Sequence, residues 1–189
     1  MKLCIIGTGY VGLVSGVCFS DLGNDVICVD KDENKIDDLK KGKIPIFEPG
    51  LEELVIKNYK NKKLKFSTDL KDSIKKSDII FICVGTPVKK NGTGADLSQI
   101  YSVVNSISKT FNKFKIIITK STVPVATGDE IEKILSKNDA ILERYYQLKL
   151  EGEFMKCYFM VLKADGFNFG YNIGKKEIYK LALEIKKNE

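Results

Sequence analysis

Three glycines in the first twelve residues, Gly7-Thr8-Gly9-Tyr10-Val11-Gly12, constrain this chain more than any other feature. They stand between Lys2–Ile6, a short β-favouring run, and Tyr10–Leu22, a stretch of small and apolar residues that Gly23 is placed to end. A strand must therefore turn sharply into a helix. Gly7 permits the tight turn, Gly9 lets backbone come close to whatever lies above it, and Gly12 lets the helix pack closely on the strand. A second apolar run, Val26–Val29, closes on Asp30, 23 positions after Gly7.

Glycines at this spacing also occur in α/β turns that hold no ligand, so the context decides. Strand, glycine turn, helix, second strand and terminal acid come in the order of a dinucleotide-binding fingerprint. The helix start would offer unpaired N–H groups and a partial positive charge to a pyrophosphate. Asp30 would accept hydrogen bonds from the adenosine ribose and repel a 2′-phosphate, which favours NAD over NADP. Lys31 and Lys35 pull the other way, since either can pair with such a phosphate.

The rest of the chain alternates in the same manner. Short helices are expected at Asn34–Lys41, ending at Gly42, and at Leu51–Lys57, after the Pro-Gly punctuated 45–50 segment. Leu64–Phe66 reads as a strand, and Asp69–Lys76 as a polar helix capped by Thr68 or Asp69. Asp78–Val84, apolar on both faces, is the strongest buried strand. Asp96-Leu97-Ser98-Gln99 resembles a capping box opening a helix with Leu97, Ile100, Val103, Val104 and Ile107 at helical spacing. Lys115–Thr119 is a fifth strand, and Thr127 with Glu130 forms another T-x-x-E pattern before a helix toward Leu135. The expected fold is α/β, a doubly wound Rossmann-type parallel sheet with helices on both faces, plus a short divergent C-terminal extension.

Composition removes other function classes. The chain has 189 residues, 43% hydrophobic and 30% charged, a globular balance. With no histidine, triads built on histidine are excluded and the commonest metal ligand is missing, so no metal site is expected. Four of the five cysteines, Cys4, Cys18, Cys28 and Cys83, lie in apolar runs and read as core thiols of a reducing cytoplasm. The formal charge of +6 is spread along the chain with acids interspersed and no aromatic-bearing basic stripe, so nucleic-acid binding is not expected. Nor is a membrane span or signal peptide, because the first apolar run is short and broken by glycine.

Three further segments are more specific: Pro45-Ile46-Phe47-Glu48-Pro49-Gly50-Leu51-Glu52, Phe81-Ile82-Cys83-Val84-Gly85-Thr86-Pro87 and Lys120-Ser121-Thr122-Val123-Pro124-Val125. With Gly9-Tyr10-Val11-Gly12 they resemble, in the same order and over roughly residues 1–137, the N-terminal domain of the UDP-glucose 6-dehydrogenase family. UDP-N-acetylmannosamine and GDP-mannose dehydrogenases are relatives. The resemblance implies an NAD-dependent oxidation of a nucleotide sugar, UDP-glucose first, in a family of homodimers. It places the pyrophosphate at Gly7, Gly9, Tyr10, Val11 and Gly12, and the ribose at Asp30 and Lys35. It further places Val84, Gly85, Thr86 and Pro87 along the cofactor and Ser121, Thr122 and Val123 beside the nicotinamide. Thr122 matches the threonine that orients a catalytic water, although a strand-end or helix-capping threonine would look the same. Glu48 matches a loop bordering the sugar-nucleotide site. Ala126 departs from the glycine usual in bacterial members.

The expected domain is residues 1–138, followed by a divergent tail, 139–189. After Asn138 neither the family's glutamate-bearing segment nor its cysteine nucleophile is matched, and nothing around Cys157 resembles the latter. The second oxidation in the family, through a thiohemiacetal and thioester, then has no visible route. In the tail, Tyr158–Leu162 is an expected strand standing in for the family's sixth, residues 166–171 a turn-rich connection, and Lys175–Lys187 an amphipathic helix. That helix packs on the sheet, meets a partner, or belongs to a rearranged gene segment. Three functions stay open: a nucleotide-sugar dehydrogenase chain reduced to its NAD-binding part, a stand-alone NAD-binding module without turnover, and a compact dehydrogenase that uses its tail as a lid.

Overall fold

The computed structural model describes residues 1–90, 92, 94–110, 115–136, 141–149 and 156–163, the last two stretches as backbone. The chain runs β1 (Lys2–Ile6), α1 (Tyr10–Asp21), β2 (Asp25–Val29), α2 (Glu33–Lys40), α3 (Leu51–Lys60), β3 (Leu64–Ser67), α4 (Leu70–Lys76) and β4 (Ile79–Ile82). It continues with α5 (Ser98–Thr110), β5 (Lys115–Thr119), α6 (Thr127–Ser136), β6 (Ile141–Lys149) and β7 (Lys156–Lys163). The sheet order is β3-β2-β1-β4-β5-β7-β6. The first five strands are parallel, and β7 lies antiparallel on β5 with β6 beyond it. This is the expected doubly wound sheet, with its order reversing between β1 and β4.

The strands are apolar at nearly every position because both faces are covered. Leu3 and Ile5, Val26 and Cys28, Leu64 and Phe66, and Ile79 and Phe81 share one core layer with Leu13 and Val17 of α1, Ile36 and Leu39 of α2, and Leu51 and Val55 of α3. Their neighbours Cys4, Ile6, Val29, Ile80 and Ile82 point the other way, onto Ile74 of α4, Ile100, Val104 and Ile107 of α5, and Ile131 and Leu135 of α6. A period of two in each strand thus divides six helices between two faces. The face-to-face approach of α1 depends on Gly16 as well, where a Cβ would lie 2.5 Å from Cys28 Sγ and 3.3 Å from Ile5.

Several local expectations need correction. Cys18 is exposed, on the side of α1 turned away from the sheet, while Cys4, Cys28 and Cys83 are buried. An apolar stretch around a helical residue does not say which side it faces. The Thr127–Glu130 capping box does not form, because α6 starts at Thr127 itself and the Glu130 amide donates to Ala126 O at 3.4 Å. Glu130 accepts the Tyr101 hydroxyl instead, and Thr127 Oγ1 is buried with no hydrogen-bond partner among the described residues. At α4 the cap is Asp69, whose Oδ1 accepts the Asp72 amide at 2.9 Å. Asp96 Oδ1 likewise accepts the Ser98 amide at 2.9 Å, just ahead of α5.

In the tail, β7 spans the expected 158–162 strand but runs antiparallel to β5, with Ile117 opposite Met160. Its partner β6 was not foreseen. Residues 166–171 and the 175–187 helix lie outside the described residues, and Cys157 is described as backbone within β7.

Candidate cofactor-binding site

The carboxyl ends of β1, β2, β4 and β5 open onto a cleft of about 790 Å³. Its position follows from the topology. Where the strand order reverses, the connections leaving β1 and β4 diverge to opposite faces and leave a crevice between them.

The glycine turn forms one wall. Gly7 has φ +99, and a Cβ there would sit 2.6 Å from Cys83 O, so turn and close approach to β4 both demand glycine. Gly12 has no room either, since its Cβ would lie 1.8 Å from Gly7 O. Gly9 is different: a Cβ would meet nothing within 4 Å. The space above it is open cleft, so packing in the fold does not require glycine at this position, and the backbone there is left bare. Gly9 is the N-cap of α1 and supplies no side-chain hydrogen bond, so the first-turn amides face the cleft without a side-chain acceptor. An uncapped, glycine-lined helix start suits a pyrophosphate.

Asp30 stands at the tip of β2, with its side chain 15% exposed. Its Oδ2 accepts from the Thr8 amide at 2.9 Å, the Thr8 hydroxyl at 2.7 Å and Lys35 Nζ at 3.1 Å. Burial by itself would raise the pKa of this carboxyl, but the Thr8 donors and Lys35 outweigh it and hold the group down to about 2. Among the described residues Oδ1 accepts one long contact, from the Asp32 amide at 3.3 Å, and retains capacity for further donors. Lys35 is tied to Asp30, while Lys31 is an exposed residue lining the cleft.

The far wall joins the ends of β4 and β5. Ser121 Oγ donates to Val84 O at 2.7 Å and to Ile82 O at 3.3 Å, and Thr86 Oγ1 donates to Thr122 O at 2.9 Å. These bonds fix the two loops to one another. Val84, Gly85, Thr86, Ser121 and Thr122 line the cleft. Pro87, Val123 and Gly12 do not: Pro87 O accepts the Asp96 amide at 2.7 Å, Val123 packs on the α5–α6 core layer, and Gly12 is buried against Gly7. Sequence reasoning missed a third wall, Ser98, Gln99 and Ser102 of α5, together with Lys120 and Cys83. The α5 residues flank the apolar stripe Ile100–Val104, so the helical period carried the signal.

Tyr10 links this cleft to a neighbouring hollow of about 720 Å³ formed by the 44–56 segment. The phenol donates to Phe47 O at 2.5 Å and lies 3.2 Å from Glu48 Oε2, while the Phe47 ring is 86% exposed. Local desolvation and the Glu48 carboxylate raise the pKa of the exposed Tyr10 phenol from its ordinary value, so it stays a hydrogen-bond donor. Among the described residues there is no group of three side chains suited to a metal, and no helix is long and apolar enough to cross a membrane.

Comparison with known proteins agrees with this geometry. Residues 1–161 match the model of the UDP-glucose/GDP-mannose dehydrogenase family, NAD binding domain. A UDP-glucose 6-dehydrogenase of Rhizobium meliloti is 54% identical over 139 residues, which are 74% of this chain and 32% of that protein. A Bacillus subtilis UDP-glucose 6-dehydrogenase is 51% identical over 136 residues, 72% of this chain and 29% of that protein. Among solved structures, a ternary complex of GDP-mannose dehydrogenase from Pseudomonas aeruginosa superposes with a TM-score of 0.67 at 39% identity, over 72% of this chain and 33% of that one. A UDP-D-ManNAc dehydrogenase from Pyrococcus horikoshii gives 0.69 at 27%, over 73% and 32%. The chain thus spans about a third of the length of the relatives it matches. It belongs to the UDP-glucose/GDP-mannose dehydrogenase family and carries that family's NAD-binding domain.

Proposed function

We propose that this chain supplies the cofactor half of an NAD-dependent nucleotide-sugar oxidation, with UDP-glucose as the first substrate to test. The observation that carries the reading is the bare helix start at Gly9, opening into the cleft beside the Asp30 carboxylate. Bound NAD would supply the hydride acceptor. The chain's own contribution is to bind and orient. The α1 amides take the pyrophosphate charge, Asp30 Oδ1 accepts from the ribose, and Lys35 holds Asp30 in place. Val84, Gly85 and Thr86 together with Ser121 and Thr122 border the end where the nicotinamide would lie, with Ser121 tying the two loops together. Thr122 is exposed beside the cleft and available to orient a water. The adjoining hollow at Phe47 and Glu48 supports a sugar nucleotide approaching from that side. A homodimer and a cytoplasmic setting belong to the same reading; buried Cys4, pushed up to about 12 by desolvation, is an inert thiol there.

The second reading is binding without turnover. It is favoured by the described lining of the cleft, whose bare helix start, Asp30–Lys35 pair and Ser121 tie are groups that bind and orient a cofactor. Calorimetry with NAD and a 340 nm assay with UDP-glucose separate the two. Saturable NAD binding with no NADH formed supports a cofactor half that needs a second part, and turnover by this chain alone supports a self-sufficient enzyme. Absence of NAD binding would remove both readings.

A further inference from the structure

Six lysines that are scattered in the sequence meet at the end of the sheet opposite the cofactor cleft. Lys2 begins β1, Lys62 and Lys63 form the turn into β3, Lys65 is in β3, and Lys75 and Lys76 end α4. Together they line a hollow of about 490 Å³ whose floor includes Val26 and Ile27. Two of the six are matched by carboxylates, Lys63 by Asp25 at 2.9 Å and Lys76 by Asp72 at 2.6 Å. Among the described residues, the ammonium groups of Lys2, Lys62, Lys65 and Lys75 have no carboxylate within 4.0 Å. A further cation lies behind the wall, where fully buried Lys115 donates from Nζ to Ser77 O at 2.6 Å and Lys75 O at 3.4 Å. The Lys63 hydrogen bond, opposed by partial burial and aided by Lys65, keeps the Asp25 carboxyl below its ordinary range.

A helix C-terminus favours cations, which accounts for Lys75 and Lys76. It bears on Lys62 as well, one residue past the Asn61 cap of α3, but not on Lys2 and Lys65, which lie in strands. Lys62 has φ 60, the one positive value outside glycine among the described residues, in a turn closed by its amide donating to Tyr59 O at 3.1 Å. Unmatched like charges gathered in a concave site repel one another, and a multivalent anion relieves that repulsion. Lysines, as compact point charges with rotatable donors, suit phosphate oxygens of varied geometry. The lining has no aromatic ring for bases to stack on, which argues against a single-stranded nucleic acid.

We propose that this hollow binds a compact polyphosphate, two or three linked phosphates that are free or carried by a nucleotide, at a site separate from the NAD cleft. The test is calorimetric titration of the full chain with inorganic tripolyphosphate, at saturating NAD and about 0.15 M salt. One saturable site is expected. It should weaken at least about tenfold in the Lys62→Gln/Lys65→Gln variant, while NAD affinity stays unchanged as the check on folding. ATP binding more tightly than tripolyphosphate would assign the nucleotide source, and equal affinities would assign the phosphate chain alone. The proposal is overturned by no saturable binding, by binding that saturating NAD abolishes, or by binding the double variant retains. It is also overturned if duplex DNA binds more tightly than either phosphate probe.

Discussion

At the scale of single residues, the glycines of one motif have separable jobs. Gly7 and Gly12 serve the fold, since a Cβ at either runs into backbone, whereas Gly9 faces open space. Gly9→Ala should therefore leave thermal stability within about 0.5 kcal/mol of the parent while NAD affinity falls about tenfold or more. Gly7→Ala, strained at φ +99 and in contact with Cys83 O, should cost about 1–3 kcal/mol in denaturant titrations. Equal stability losses in the two variants would contradict this division. Asp30 makes a second residue-scale prediction. Its folded pKa of about 2 lies below the ordinary 3.8, so its contribution is complete above roughly pH 4 and is lost as pH falls through about 2. The screened contribution is on the order of 1–2 kcal/mol. Asp30→Asn should be less stable than the parent at pH 6, with the gap narrowing toward pH 2. The same variant should bind NAD more weakly, and unchanged affinity would show that Asp30 does not hold the ribose.

At the scale of elements, short polar ties set the loops that the strands end in. Ser121, 8% exposed, ties the end of β5 to Ile82 O and Val84 O at the end of β4. Ser121→Ala should cost about 1 kcal/mol and speed amide exchange in residues 84–86 and 120–122, with the distant α2–α3 region unaffected. Lys115 performs a comparable task at the other end of the sheet, donating to the carbonyls that close α4. Lys115→Met keeps the volume but leaves Ser77 O short of a donor, and should destabilise by about 1–3 kcal/mol. Neither tie was visible beforehand. Serine and lysine at a strand end look like surface residues until the neighbouring strand is placed beside them.

For the whole molecule, the site exists because five parallel strands bring four separate turns to one edge, so cofactor and fold should be thermodynamically linked. NAD at about one hundred times its dissociation constant should add about 2.7 kcal/mol of stability, read as a rise of several degrees in Tm. Adenine alone at the same concentration should raise Tm less, because the α1 amides contribute nothing without the pyrophosphate.

Most of the parallel sheet was legible in the chain itself. Apolar runs of four to seven residues alternating with helical periods dictate strands buried on both faces, and the glycine turn followed by Asp30 comes in the order of a dinucleotide-binding fingerprint. Those signals are local, carried by steric and hydrophobic preferences of neighbouring residues. What stayed hidden depends on residues distant in sequence. The α5 wall of Ser98, Gln99 and Ser102, the exposure of Cys18, the failed cap at Thr127 and the antiparallel hairpin on β5 are of this kind. So is the gathering of lysines from residues 2, 62–65 and 75–76 into one hollow. Hydrophobic periodicity decides which elements form, but it does not decide which polar groups meet. That was decided only when the strand order and the crossovers brought the ends of those elements together.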